Sequence, residues 1–72
     1  MQKDVIAKFG AKVRERRLFL GLSQEELASR AGIHRTYVGM VERAEKNVTL
    51  RNIERIASAL ELSIDQLMNL DK

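Results

Sequence analysis

The chain has 72 residues, of which 13 are Lys or Arg and 10 are Asp or Glu, giving a net charge of +3. This length allows one small domain, taken as residues 1–72, and the absence of cysteine together with a single histidine excludes disulfides and thiolate metal sites. No apolar run approaches the ~18 residues that a membrane-spanning helix requires, so we expect a cytoplasmic protein that does not bind a membrane. We also expect no metal and no cofactor. The lack of proline and the many Ala, Leu, Glu and Arg residues favour an all-α fold.

The basic residues are concentrated in the first part of the chain. Residues 1–43 contain nine Lys or Arg against five Asp or Glu, whereas residues 44–72 contain four against five. A surface that binds a polyanion requires such a local excess. A solvated surface of mixed charge would also be compatible with it, and charge alone leaves both interpretations open.

The first predicted helix runs from about Asp4 to Leu20. Its apolar side chains recur at spacings of three, four and seven, which is one helical face: Ile6, Phe9, Val13 and Leu20. Asp4 is the expected N-cap, and Gly21 is the expected C-terminal stop. Gly10 costs stability inside a helix, so it either permits the close approach of another backbone or is simply tolerated.

The second predicted helix begins at Gln24. Ser23 and Glu26 have the spacing of a capping box, in which each side chain accepts a backbone N–H from the other residue. Three apolar residues lie on one face of this helix: Leu27, Ala28 and Ala31. Gly32 can adopt a positive φ and is expected to end the helix in a sharp turn.

The third predicted helix runs from about His34, its N-cap, to Arg43. Val38 and Val41 are three residues apart and are expected to face inward. The other face carries the remaining residues of the helix that could contact a partner: Arg35, Thr36, Tyr37, Gly39, Met40 and Arg43. Two short helices joined by a turn at this spacing are typical of a helix-turn-helix.

Two further helices follow a polar loop at residues 44–48. Thr49 is the expected cap of a fourth helix from Leu50 to about Leu60, whose apolar stripe is expected to be core: Leu50, Ile53, Ile56, Ala57 and Leu60. Ser63 and Gln66 form a second capping box and open a fifth helix over residues 64–70. Five helices with short connections predict one compact bundle.

Residues 24–43, together with Phe9-Gly10, residues 21–28 and the stripe of residues 50–60, resemble the lambda-repressor-like (Cro/CI, XRE-type) helix-turn-helix regulators. Within that family, Arg35-Thr36-Tyr37, Glu42-Arg43 and residues 47–53 are most similar to the controller proteins of restriction–modification systems. The resemblance implies a bacterial or phage transcription regulator associated with the nucleoid. Its third helix would enter the DNA major groove. The implied partners are double-stranded DNA with a palindromic operator, a second copy of the chain and, as a further partner, RNA polymerase, with no small-molecule ligand.

The expected base readers lie on the third helix. Arg35 can donate to O6 and N7 of one guanine, and its alternatives are a phosphate contact or a solvated side chain. Tyr37 either contacts a base or sugar or packs against the first helix, and Met40 either touches a thymine methyl or fills the core. Gly39 would let the helix approach the bases closely. The full set of expected base-reading positions is Arg35, Thr36, Tyr37, Gly39 and Met40.

The expected contacts to the DNA backbone flank these readers. They are Gln24, His34, Arg43, Lys46 and Asn47. The resemblance also implies a structural ion pair between Arg17 and Glu42 that ties the first helix to the third. Arg16 stands where the family has an apolar residue, and the direction of its side chain stays open. Ala44 replaces the family's usual glycine, which implies either an extended third helix or a left-handed residue.

The last apolar residues are too many for one short helix to bury against its own domain: Leu62, Ile64, Leu67, Met68 and Leu70. We therefore expect part of this set to form the interface of a symmetric dimer, the alternative being that all of them close the core. A dimer is also expected because one such domain reads only about four to six base pairs.

Two functions remain at this point. The first is a sequence-specific dimeric regulator, and the alternative is an antitoxin or co-activator, in which the same fold binds mainly another protein. An enzyme is not expected, because no carboxylate pair, nucleophile–base set or phosphate-cradling glycine loop stands at usable spacing.

Overall fold

The computed structural model describes residues 3–70, with side chains from residue 5 onward. Within this range the chain forms five helices and no strand: α1 (Lys3–Phe19), α2 (Gln24–Ala31), α3 (Arg35–Glu42), α4 (Leu50–Ala59) and α5 (Ile64–Leu67). The predicted five-helix, all-α architecture is confirmed. None of these helices is long and apolar enough to cross a membrane.

The predicted helix starts follow from local capping. Ser23 Oγ accepts the N–H of Glu26 at 3.0 Å, and Glu26 Oε1 accepts the N–H of Ser23 at 2.7 Å. The hydrogen bond that the Ser23 backbone N–H donates to the Glu26 carboxyl, and after it the Ser23 side chain, lower the pKa of that carboxyl. His34 Nδ1 accepts the N–H of Thr36 at 3.1 Å and begins α3 in the same way. The predicted caps of α4 and α5 are also formed, by Thr49 and by Ser63.

The core lies where all five helices meet. Side chains from α1, α2, α3, α4 and α5 contribute to it, and the most deeply buried are Val13, Leu27, Val38, Val41, Ile56, Leu60 and Leu67. Helix α3 packs against both α1 and α2. The helix expected to contact DNA is therefore held on two sides by the rest of the fold.

Gly10 marks the closest approach of α1 and α3. A Cβ built on Gly10 would collide with the carbonyl oxygen of Val41 and would lie 3.0 Å from the carbonyl oxygen of Glu42. The prediction that Gly10 permits close backbone approach is confirmed, because neither obstacle is a side chain that could move aside.

Left-handed residues follow four of the helices, and the first of them is Gly21, the predicted stop of α1, with φ +73°. Gly32 has φ +71° and its N–H donates to the last turn of α2, which produces the predicted sharp turn. Ala44 has φ +63°, so α3 is not extended and ends at a left-handed residue, the second alternative drawn from the sequence. Alanine adopts this conformation less readily than glycine. Glu61 after α4 has the same conformation, which the sequence did not suggest.

Two predictions of helix boundaries and one prediction of burial are wrong. Asp4 lies inside α1 and is not its N-cap; an acidic residue is equally favourable in the first turn of a helix, so its identity does not distinguish the two positions. Leu50 is 72% exposed, since the side chain at the first position of α4 points away from the core. Helix α5 ends at Leu67 instead of residue 70, because the next turn tightens: the N–H of Asn69 donates to the carbonyl of Gln66, three residues back, at 3.3 Å.

Candidate nucleic-acid interface

The N-terminal turn of α2 and the outer face of α3 form one surface. Glu25 of α2 lies beside Arg35 of α3, and Gln24 lies beside Glu42 at the other end of α3. The turn at Gly32 fixes this crossing. Residues that are ten or more positions apart in sequence therefore lie together on a surface supported by the core.

Arg35 occupies the exposed first turn of α3. Its Nη1 lies 3.6 Å from Glu25 Oε1, and the two side chains are 65% and 74% exposed. An ion pair so open to solvent is weak. The guanidinium can therefore leave Glu25 for a stronger acceptor without cost to the fold.

His34 and Thr36 flank Arg35 and are both exposed. The cap of α3 uses only Nδ1 of His34, which leaves Nε2 for another partner. The hydroxyl of Thr36 belongs to an exposed side chain. Both residues lie where a ligand of α3 could reach them.

Tyr37 and Met40 are less exposed than their neighbours. Tyr37 is partly buried and packs against the hydrophobic core, and Met40 is partly buried as well. Each side chain therefore keeps some surface toward solvent, and a contact of either residue with a base stays a prediction.

Gly39 departs from the expected outward face, because it is buried. The space beside its α-carbon is filled by other side chains: a Cβ there would lie 2.9 Å from Arg43 Nη1 and 3.6 Å from Gln24 Oε1. Gly39 therefore makes room for the Arg43 guanidinium and the Gln24 amide, which cover it. Its expected exposure to a partner is corrected accordingly.

Arg43 ends α3 and is held by Glu45. Nε of Arg43 lies 3.1 Å from Glu45 Oε2, and Nη2 lies 3.3 Å from Oε1, with both side chains more than half exposed. Lys46 and Asn47 follow in the loop and are exposed. The five expected backbone contacts thus lie on either side of α3, with Gln24 and His34 near helix starts and the others after its end.

The ion pair implied by the resemblance is present and buried. Arg17 Nε donates to Glu42 Oε2 at 2.7 Å and Nη2 donates to Oε1 at 3.0 Å, with 9% and 3% of the side chains exposed. The hydrogen bond with Glu42 raises the pKa of Arg17. Arg17 Nη1 also donates to the carbonyl of Leu22 at 2.8 Å. One side chain therefore fastens α1 to α3 and to the segment that leads into α2.

Arg16 belongs to a different part of the fold. Its Nε donates to the carbonyl of Leu60 at 3.0 Å, and its guanidinium carbon lies 5.1 Å from the centre of the Phe19 ring. A cation suits the carbonyls at the C-terminal end of α4. Arg16 replaces the family's apolar residue by bonding to α4, away from the α2–α3 surface.

The residues expected at a dimer interface divide into three groups. Leu67 is fully buried in its own core, so its assignment to an interface is wrong; it falls on the inward side of the short α5. Leu62 and Leu70 are partly buried against the core, whereas Ile64 and Met68 are 39% and 36% exposed. Leu50, which the sequence assigned to the core, lines a surface groove with Ile64. Its position directly after the capping Thr49 was the only sequence signal for this.

No group of three His, Cys, Asp or Glu side chains that could hold a metal ion occurs in the part of the chain that the structure describes. Besides the carboxylates of Glu25 and Glu45, the α2–α3 surface carries hydrogen-bond donors from Arg, Gln, Asn and Lys. This set suits oxygen acceptors such as phosphates and base edges.

Comparison with known proteins supports the interpretation of α2 and α3 as a helix-turn-helix. A family model for the helix-turn-helix (HTH_3) matches residues 13–67. The control protein C.SmaI of Serratia marcescens is 46% identical over 66 residues, which cover 92% of this chain and 75% of that protein. The control protein C.BamHI of Bacillus amyloliquefaciens is 41% identical over 70 residues, which cover 96% and 86% respectively.

A solved structure extends the agreement to the fold. The restriction-modification controller protein C.AhdI from Aeromonas hydrophila matches with a TM-score of 0.84 and 48% sequence identity, covering 86% of this chain and 94% of that one. The matched region includes α2 and α3 with their connecting turn. The chain therefore belongs to the HTH_3 (XRE-type) helix-turn-helix family of DNA-binding transcription regulators.

Proposed function

We propose that this protein is a dimeric controller of a restriction–modification system that reads an inverted-repeat operator. The observation that carries the proposal is the exposed first turn of α3, where Arg35 has a solvent-exposed ion pair with Glu25 on a helix that the core fixes from two sides. The similarity to C.SmaI, C.BamHI and C.AhdI supports the controller role.

The proposed reading mode places α3 in the major groove. Arg35 leaves Glu25 and donates to O6 and N7 of a guanine, a bidentate contact that distinguishes guanine from the other bases. Thr36 contacts a neighbouring base edge or phosphate. Tyr37 and Met40 contribute their exposed portions to the same groove, and Gly39 acts indirectly, through the side chains that cover it.

The proposed holding contacts lie around these readers. Gln24 and His34 reach one DNA strand from the starts of α2 and α3. Arg43, Lys46 and Asn47 reach the other side of the groove from the end of α3. Because phosphate contacts carry no sequence information, they set the register in which Arg35 meets its base.

The proposed dimer contact is the α4–α5 patch, which we define as Leu50, Arg51, Glu54 and Ile64. Leu50 and Ile64 are exposed apolar side chains in one groove, flanked by one positive and one negative charge. A two-fold interface is self-complementary, so opposite charges on one patch can pair with their counterparts on a second copy. Met68 is exposed on the same terminal segment.

The test is selection of bound sites from random-sequence duplexes, followed by sedimentation of the protein with the selected site. The proposal predicts a palindromic consensus, two chains per site and a steep dependence of affinity on salt. No measurable duplex binding at low salt would reject it in favour of a protein-binding module.

An activating controller must also contact RNA polymerase in the cytoplasm, and transcription in vitro from the selected operator tests that contact.

A further inference from the structure

The Glu42 carboxylate does more than neutralise Arg17. Its Oε1 accepts the Nη2–H of Arg17 at 3.0 Å and also the Nε2–H of Gln24 at 3.1 Å. Glu42 is 97% buried by side-chain area, and Gln24 is only partly exposed. A buried charge therefore has a hydrogen bond with the residue that begins α2.

This hydrogen bond fixes which end of the Gln24 amide faces α3. An ionised carboxylate only accepts hydrogen bonds, so the amide must present its NH₂ group to Glu42. The carbonyl Oε1 of Gln24 then points toward the α-carbon of Gly39, where a Cβ would lie 3.6 Å from it. One of the two Nε2 hydrogens bonds to Glu42. The other remains available to an acceptor outside.

The amide is also confined by what lies beside it. The Arg43 guanidinium occupies the same space above Gly39, with Nη1 2.9 Å from the position of a Cβ there. Glu42 is in turn held by two hydrogen bonds from Arg17, whose own side chain is anchored on the Leu22 carbonyl. The Gln24 side chain is thus ordered by a chain of contacts that begins in α1.

We propose that Glu42 is a positioning residue for DNA binding: it holds the Gln24 amide so that its second Nε2–H faces a backbone phosphate. This inference rests on the proposed function, and it assigns Arg17 and Glu42 a role beyond fastening α1 to α3. Gln24 enters the complex with its side chain already ordered, so the entropy of ordering it is not lost on binding. Lys46, in contrast, is exposed in a loop and gains nothing from Glu42.

The experiment must remove the acceptor without leaving a buried charge. Glu42→Gln would leave the buried Arg17 guanidinium without a counter-charge and destabilise the domain. The double variant Arg17→Met/Glu42→Leu replaces the pair by apolar side chains of similar size. Its folding is checked by circular dichroism and thermal unfolding before any binding is measured.

The first readout is the ¹⁵N order parameter of the Gln24 side-chain amide in the DNA-free protein. The inference predicts a value close to that of rigid backbone, about 0.85, which falls below about 0.6 in the folded double variant. A purely structural role for the pair would leave this value unchanged. A mobile Gln24 amide in the unmodified protein overturns the inference by itself, whether or not the double variant folds.

The second readout is affinity for a duplex of random sequence. Gln24→Ala should weaken binding roughly two- to ten-fold in the unmodified protein and have little effect in the Arg17→Met/Glu42→Leu background. Lys46→Ala is the control and should cost the same in both backgrounds. An equal effect of Gln24→Ala in both overturns the inference. If no variant binds duplex while the Gln24 amide is ordered, the proposed function fails and the hydrogen bond is only structural.

Discussion

Glu25 Oε1 lies 3.6 Å from Arg35 Nη1, so the side chain proposed to read a guanine already has an anionic partner on the neighbouring helix. DNA must displace this carboxylate before Arg35 can reach a base. Because both side chains are mostly exposed, the ion pair is weak and separating it costs little free energy. Glu25 nevertheless competes with every anionic acceptor that approaches Arg35.

The first prediction concerns this competition. Glu25→Gln should raise affinity for random-sequence duplex by about 1.4- to five-fold, since an exposed ion pair contributes roughly 0.2–1 kcal/mol. Titration of labelled duplex at constant salt measures the change. Glu15→Gln, on α1, makes the same change of charge outside the α2–α3 surface and is the control. Equal effects of the two substitutions would mean that only net charge matters.

The second prediction concerns the left-handed residue after α3. Ala44 has φ +63°, so Ala44→Gly should raise the free energy of unfolding by about 1 kcal/mol by removing a Cβ that is unfavourable there. Urea denaturation measures it. Ala11→Gly, at an exposed position inside α1, should instead lower the free energy of unfolding by about 1 kcal/mol. A loss of stability in Ala44→Gly would contradict the account of this turn.

The third prediction sets two helical glycines against each other. Gly10→Ala should destabilise the domain by about 1–3 kcal/mol, because the new Cβ meets the backbone carbonyl of Val41. Gly39→Ala should be neutral or stabilising by up to about 1 kcal/mol, because the atom that the new Cβ crowds is the flexible end of Arg43, and Gln24 Oε1 lies at ordinary contact distance. Thermal unfolding measures the change in stability of both variants. The same sign for both would show that local crowding does not govern these positions.

Gly39→Ala has a second expected effect, on binding. The added methyl displaces the Arg43 guanidinium from above the α-carbon, so affinity for duplex should fall while stability does not. A variant that is more stable and binds as tightly as before would show that the position of Arg43 above Gly39 does not contribute to DNA binding.

The fourth prediction tests the α4–α5 patch. Leu50→Glu should convert the proposed dimer to a monomer without unfolding the chain, because Leu50 is 72% exposed and contributes little to its own core. Sedimentation velocity measures the change. Phe19→Glu is the matched control, since Phe19 is 75% exposed elsewhere on the surface. If Phe19→Glu produced a monomer and Leu50→Glu did not, the interface would include Phe19 and not the α4–α5 patch.

The features that the sequence predicted well are local ones. The capping boxes at Ser23 and Ser63 and the glycine turn at Gly32 require only residues within a few positions of each other, and each is formed as predicted. The close approach at Gly10 also follows from sequence, since a glycine in mid-helix carries a cost that packing can offset.

The features that the sequence did not predict depend on how the helices are oriented in the bundle. Spacing placed Leu50 in the core stripe, but the first residue of a helix can point past the neighbouring helices. Leu67 and Gly39 were assigned to outer surfaces, and the structure buries both. The bond from Arg16 to the Leu60 carbonyl joins residues 44 positions apart, which no local pattern encodes.

The most direct test of the account is the affinity of Arg35→Ala for the selected operator and for operators changed at one base pair. The account predicts that discrimination is lost at one base pair in each half-site, at a cost of about 1–3 kcal/mol, while Lys46→Ala weakens binding to all sequences alike. If Arg35→Ala kept the full sequence preference of the unmodified protein, Arg35 would not be the base reader.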